Sequence, residues 1–283
     1  MKKIILVLAI LSVLLFSGCA EPNPNPKPNP GPILDPDLNG PPQNGEDEKI
    51  AFIAVHMEAG PIVPYVRDNW PVLEELVELA DSKGFKLTLQ FNPQWGVYIL
   101  DDPGRLALLR SWEANGHEIA LHHHGLSHNN WNGYTNEPGR ENDPRYKGTI
   151  TEMMAIMNRL PADGQMITGS VTDADTDWPR GMLYNTSGGA RQQDLLSSPR
   201  KAVWNGSEVT IIQHRMYAVG TADAAPLSEI EEAYQNMDGQ IMGIVFHVHD
   251  YGERGGKIEE LFDSLGSNGI EVKSVKSVLS GGN

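Results

Sequence analysis

Gly116-His-Glu-Ile-Ala-Leu-His-His-His-Gly-Leu-Ser-His128 holds five of the nine histidines in the chain. Glu118 to Leu121 reads as a short buried strand, so His122 and His124, two positions apart, emerge on one face at its end. His124 and His128 then make a His-x-x-x-His pair across a glycine turn. Neutral imidazole is the commonest protein ligand for zinc-class ions, and a strand end followed by a tight turn can gather several rings around one ion. A solvated histidine-rich loop is the competing reading of the same residues.

The same design recurs along the chain. Ile50-Ala-Phe-Ile-Ala-Val55 is a continuous apolar run, as expected of a strand covered on both faces, and it ends in His56-Met57-Glu58. A helix is predicted over Trp70 to Leu79, with Pro71 near its start and Gly84 past its end. Phe85 to Phe91 is a second strand, ending in Gln90 and Asn92. Asp101-Asp102-Pro103 opens a helix that stops at Asn115-Gly116. Further strands are predicted over Gln165 to Val171, Val209 to Ile212, which ends in Gln213-His214-Arg215, Ile241 to Phe246, and Ile270 to Val272. Helices are predicted over Thr149 to Leu160, from a Ser228-x-x-Glu231 capping box to about Met237, and over Lys257 to Leu265. Met153, Met154 and Met157 read as core filler.

Apolar strands that turn polar only at their C-terminal ends predict an α/β fold, an irregular (β/α) barrel of about seven strands with its active site at those ends. Three ends carry paired side chains at i and i+2: His56 with Glu58, His122 with His124, and His247 with His249. Their convergence on one mouth is the expectation that raises the histidine loop to a metal or catalytic site.

Residues 129–145 lack periodicity, and a long loop in a compact domain is usually functional. Trp131 and Tyr134 make it a candidate sugar-stacking surface. Asp173, Asp175 and Asp177 alternate as in a calcium loop, but Trp178 and Tyr184 occupy the places where an EF-hand needs glycine and glutamate, so calcium is rejected.

Met1-Lys2-Lys3 and the apolar run to Phe16 have the form of an export signal, too short to span a bilayer. Leu15-Phe-Ser-Gly-Cys19 resembles the prokaryotic lipobox, and Cys19 is the single cysteine. The expected organisation is a lipoprotein signal over 1–19, a Pro/Asn-rich tether over 20–48 and one catalytic domain over 49–283. The expected address is the outer face of a prokaryotic cell membrane, held by lipid at Cys19. A net charge of −15 argues against a nucleic-acid partner. A monomer with a glycan substrate is expected.

The chain resembles the polysaccharide deacetylase family, whose members fold as an irregular barrel and remove acetyl groups from sugars with a divalent metal. Gly116 to His128 looks like the family's gly-his-glu-ile-gly-x-his-[ser/thr]-x-x-his motif. His124 with His128 preserves its spacing, and His122 with His128 preserves the strand register. Val55-His-Met-Glu-Ala-Gly-Pro61 stands where the family has thr-phe-asp-asp-gly, so the resemblance makes Glu58 the metal carboxylate and puts Met57 in the place of the base. Asp177-Trp-Pro-Arg180, followed by Gly181 to Ser187, echoes the arginine motif, and Val245-Phe-His-Val-His-Asp250 resembles the late leu-x-his motif that supplies the acid.

The resemblance thus implies a zinc-class ion on Glu58, His122, His124 and His128, acting on an acyl group with an activated water. His56 or one of the aspartates, Asp175 foremost, is the implied base. His247 or His249 is the implied acid, with Asp250 orienting it. Gln90, Trp131, Tyr134, Trp178 and Arg180 are the expected substrate contacts. The alternatives are a glycoside hydrolase using two carboxylates such as Glu58 and Asp175, and a non-catalytic lipoprotein that binds metal or glycan.

Overall fold

The computed structural model describes residues 49–58, 63–186, 194–217 and 224–281. The signal, Cys19, the tether and Ser187 of the arginine-motif echo lie outside the described residues. In chain order the elements are β1 (Ile50–Met57), α1 (Val63–Ser82), β2 (Thr88–Phe91), α2 (Pro93–Leu100), α3 (Pro103–Ala114), β3 (Glu118–His123), α4 (Ile150–Met157), β4 (Thr168–Val171), α5 (Ala174–Asp177), β5 (Tyr184–Asn185), β6 (Leu196–Ser197), β7 (Arg200–Trp204), β8 (Ser207–Ile211), β9 (Arg215–Met216), α6 (Leu227–Gln235), β10 (Ile241–His247), α7 (Val248–Ser267), β11 (Glu271–Val272) and α8 (Val275–Ser280).

The strands form one sheet in the order β6-β10-β1-β2-β3-β4-β5-β8-β7, with β11 on β1 and β9 on β10. Neighbours from β10 through β1, β2, β3, β4 and β5 to β8 are all parallel. This is an α/β barrel-like sheet. It is irregular, as expected, but not in the expected number of about seven strands: among the described residues there are eleven, β5, β6, β9 and β11 are two residues long, and β6 runs antiparallel to β10 and β7 to β8.

Alternation along β1 explains why its sequence is apolar throughout. Ala51, Ile53, Val55 and Met57 join the large core that includes Leu73 and Leu76 of α1 and Leu261 and Phe262 of α7. Phe52 and Ala54 join a smaller inner core with Ile212, Ile241, Val245 and Val275. His56 continues this inner face because side chains alternate with period two. At the opposite end, Glu118 accepts from Thr88 Oγ1 at 3.0 Å and from the Lys276 amide at 2.9 Å, which ties α8 to the first residues of β2 and β3.

Several expected boundaries shift. Helix α1 begins at Val63, which leaves Pro71 inside it. Val66 and Trp70 both reach the core, so packing outweighs the proline's missing donor. Helix α2 was not anticipated; Asn92 caps it through Oδ1, accepting from the Gln94 and Trp95 amides. Ser228 and Glu231 form no capping box, because Pro226 is already the N-cap of α6 and Ser228 lies in its first turn. The capping box falls instead at Thr149 and Glu152, opening α4, where Met153, Met154 and Met157 are buried as expected. Helix α7 is two helical segments joined across a kink at Arg254 (φ −142°, ψ 36°); the expected helix from Lys257 lies in the second, and a first segment starting at Val248 precedes it. Gly252, Gly255 and Gly256 hide its first turns from a propensity reading. Among the described residues no helix is long and apolar enough to cross a membrane.

Gly243 faces the inner core, where a Cβ would meet the Gln213 carbonyl oxygen and approach Phe52 Cζ to 2.6 Å. Gly243→Ala is therefore expected to destabilise the domain by about 1–3 kcal/mol, the usual cost of overpacking. An unchanged urea midpoint would contradict this close approach of β10 to the strand-end loop after β8.

Candidate metal centre

Parallel register sets the row of side chains at the mouth. His56 of β1 lies opposite His247 of β10 on one side and Gln90 of β2 on the other. Glu58 follows β1 by one residue, and its backbone oxygen accepts from Trp95 Nε1 at 2.7 Å. The turn after β3 is held from the neighbouring strand end: the Gly125 amide donates to Thr172 Oγ1 at 2.6 Å, and the Ser127 amide to Asp173 Oδ2 at 2.8 Å. A Cβ on Gly125 would sit 2.5 Å from that Asp173 oxygen, so the turn requires glycine.

These elements bring one oxygen of Glu58 among three imidazoles. Oε1 lies 3.1 Å from His122 Nε2, 3.4 Å from His124 Nε2 and 3.5 Å from His247 Nε2. Atoms bound to a tetrahedral ion at about 2.0–2.1 Å stand about 3.3–3.4 Å apart, so these spacings match the edges of such a ligand set. His56 stacks on His122 with ring centroids 3.9 Å apart, and its buried Nε2 has no hydrogen-bond partner. His56, Glu58 and His122 also offer ligand atoms that lie within 4.8 Å of one another. The donor set of buried nitrogens and one carboxylate fits a zinc-class ion.

Burial opposes charge on Glu58, but His122 beside it, followed by the contacts with His122, His247 and His124, holds its carboxyl far below the usual range. Burial and then His122 push His124 down to about 3. Burial followed by His122, His214 and His247 keeps His56 well below an ordinary imidazole. Such rings are neutral, the state that binds metal. His247 goes the other way. Burial works against its charge, yet Asp250 and then Glu58 prevail and raise it to about 9. Asp250 Oδ2 accepts from the His247 amide at 2.9 Å and lies 3.2 Å from its Nδ1.

Of the expected site residues, His56, Glu58, His122, His124 and His247 converge. His128 packs on His124 with ring centroids 3.8 Å apart, and its Nδ1 accepts from the Asn130 amide at 3.1 Å, which leaves Nε2 as its nitrogen available to an ion. His249 stacks on His247 at 5.0 Å. Gln90 is buried below His56 and donates to Thr186 Oγ1 at 3.0 Å.

The sugar-stacking surface is corrected. Trp131, Tyr134 and Trp178 are 6, 7 and 1% exposed, so they anchor the loop in the core and cannot form an open platform. Asp177 is buried as well, and pins that loop by accepting from Thr135 Oγ1 and the Asn136 amide, each at 2.9 Å. Asp175 and Arg180 are exposed, unlike the buried histidines.

His214 was not anticipated as a site residue. Its ring lies 5.5 Å from that of His56, and burial, then His122 and His247, lowers it to about 3. A lone histidine between Gln213 and Arg215 gives no paired signal. Trp95 and Tyr65, whose hydroxyl lies 2.7 Å from His249 Nδ1, come from helices and were likewise missed.

These opposed shifts give the metal-free chain a stability optimum near pH ~6.5, the ordinary imidazole value. His247 is raised, so its contribution is complete below ~6.5 and is lost as pH rises through about 9. His56, His124 and His214 are lowered, so the unfolded chain takes up more protons and stability falls as pH drops below ~6.5. Urea midpoints should therefore decline on both sides, and His247→Gln should flatten the alkaline side. A wild-type profile level from about 6.5 to 9 would contradict the assignment for His247.

No family model matches the chain, and no curated protein matches it. Among solved structures it is similar to the crystal structure of a 4-alpha-glucanotransferase from Thermococcus litoralis, with a TM-score of 0.52 and 16% identity over 83% of this chain. The chain spans 40% of that protein's length. At this identity the likeness concerns the fold alone, and it supports the α/β barrel-like architecture.

Proposed function

We propose that the chain is a metal-dependent hydrolase of the polysaccharide deacetylase type, removing acetyl or other acyl groups from a cell-surface or extracellular glycan. The observation that carries this reading is the single Glu58 oxygen standing 3.1, 3.4 and 3.5 Å from three imidazole nitrogens. The signal and Cys19 support an exported, lipid-anchored enzyme, an address at which glycans are the abundant substrate.

Glu58, His122 and His124 would hold the ion. When bound, a zinc-class ion supplies Lewis-acid polarisation of the acyl carbonyl and makes water a nucleophile near neutral pH. His56 serves as the base: it is neutral, and its Nε2 is buried without a partner. Met57, in the place of the family's base, points into the helix-facing core on the other side of β1 and takes no part. His247, protonated between Asp250 and Glu58, donates the proton that the leaving amine or alcohol needs. The water proton thus goes to His56 and the acyl group to the water oxygen.

A glycoside hydrolase is the second reading, on an α/β barrel-like fold that the neighbouring glucanotransferase shares. That chemistry needs two carboxylates and no metal.

Chelation should abolish deacetylation of acetylated glycans, and zinc should restore it. His122→Ala and His124→Ala should each weaken zinc binding by more than the roughly 10–100-fold that losing an outer partner costs. His247→Gln should keep the ion but lower kcat by about 10²–10⁴-fold, the usual worth of general acid catalysis. Cleavage of glycosidic bonds in the presence of chelator would favour the second reading and overturn the first.

A further inference from the structure

A single tetrahedral ion is satisfied by Glu58, His122, His124 and one open position. His249 has no part in that set, and it stacks on His247 beside Asp250. His247, His249 and Asp250 offer one ligand atom each, and these atoms also lie within 4.8 Å of one another. We propose that the barrel mouth holds a second divalent cation of the zinc class, bound by His247, His249 and Asp250 beside the first. This rests on the metal-dependent reading of Glu58, His122 and His124 above, but makes His247 a neutral ligand of the second ion in place of the proton donor it is in the one-ion site.

Three further observations support the site. His247 Nδ1 and Asp250 Oδ2 are 3.2 Å apart, again a tetrahedral edge. His249 has the outer partner that ligating imidazoles usually possess: the Tyr65 hydroxyl, 2.7 Å from Nδ1, holds the ring and engages one of its nitrogens. The buried His56 adjoins this group as well as the first, its ring T-shaped to that of His247 with centroids 5.6 Å apart.

His247 connects the sites, with Nε2 toward Glu58 at 3.5 Å and Nδ1 toward Asp250. The positive end of α7 opposes a cation here, which makes the Asp250 carboxylate the indispensable ligand. In the one-ion alternative, Asp250 only orients His247 by accepting its Nδ1 proton. The two differ in stoichiometry.

The test is cobalt(II) binding, counted by equilibrium dialysis on the full-length chain purified in detergent without a polyhistidine tag and stripped by chelator. Two ions per chain are expected, falling to one in Asp250→Asn and one in His249→Ala. The His122→Ala/His124→Ala pair should also retain one. Tyr65→Phe should weaken one of the two sites about 10-fold and leave the other unchanged. One ion in the wild type, kept by Asp250→Asn and lost by the double variant, would overturn the second site and leave the first reading standing. No ion in the wild type would overturn both. Should Asp250→Asn fail to fold, the wild-type count and Tyr65→Phe decide.

Discussion

An ionised carboxylate among buried groups costs several kcal/mol unless its neighbours compensate. Glu58 is in that position, and its compensation comes from imidazoles of two other strands, His122 in β3 and His124 just past it, and His247 at the end of β10. The sheet must curve enough to bring those ends together around β1. Gly243 lets β10 approach the inner core closely, and Gly125 lets the histidine turn close against Asp173. Both glycines serve the same convergence. Without an ion, the cluster keeps the cationic ring of His247 against two carboxylates, and the rings of His56, His124 and His214 neutral.

Period-two alternation decides which residues take part. On β1 the adjacent Met57 and His56 face opposite ways, Met57 into the core beneath the helices and His56 toward the mouth. A one-residue slip would exchange them. On the proposed deacetylase reading, the base position is thus a question of register as much as of residue type, with His56 in place of Met57. The opposite end of the barrel has a different task. There Glu118, pushed up by burial, and Thr88 tie down α8. Polar groups at that end hold the fold together, whereas those at the C-terminal ends converge on one point.

Much of this was legible in the sequence because strand ends carry their signal locally. Apolar runs ending in His-x-Glu, His-x-His and His-x-His marked β1, β3 and β10 and the side chains that share a face. The rest depended on tertiary packing. Trp131, Tyr134 and Trp178 sit in irregular segments, where no periodicity tells a buried anchor from an exposed platform. His214 has no partner at i+2. Helix α7 is masked by three glycines near its start, so His249 and Asp250 could not be placed on its first turn. Trp95 and Tyr65 reach the site from helices whose sequences give no sign of it.

The central claim is that Glu58, His122 and His124 are first ligands of a divalent ion. Zinc K-edge X-ray absorption on the chain loaded with one equivalent of zinc tests it most directly. The account predicts a low-coordinate ion with at least two imidazoles and one carboxylate oxygen at about 2.0–2.1 Å. A six-coordinate oxygen shell without imidazole scattering would contradict it.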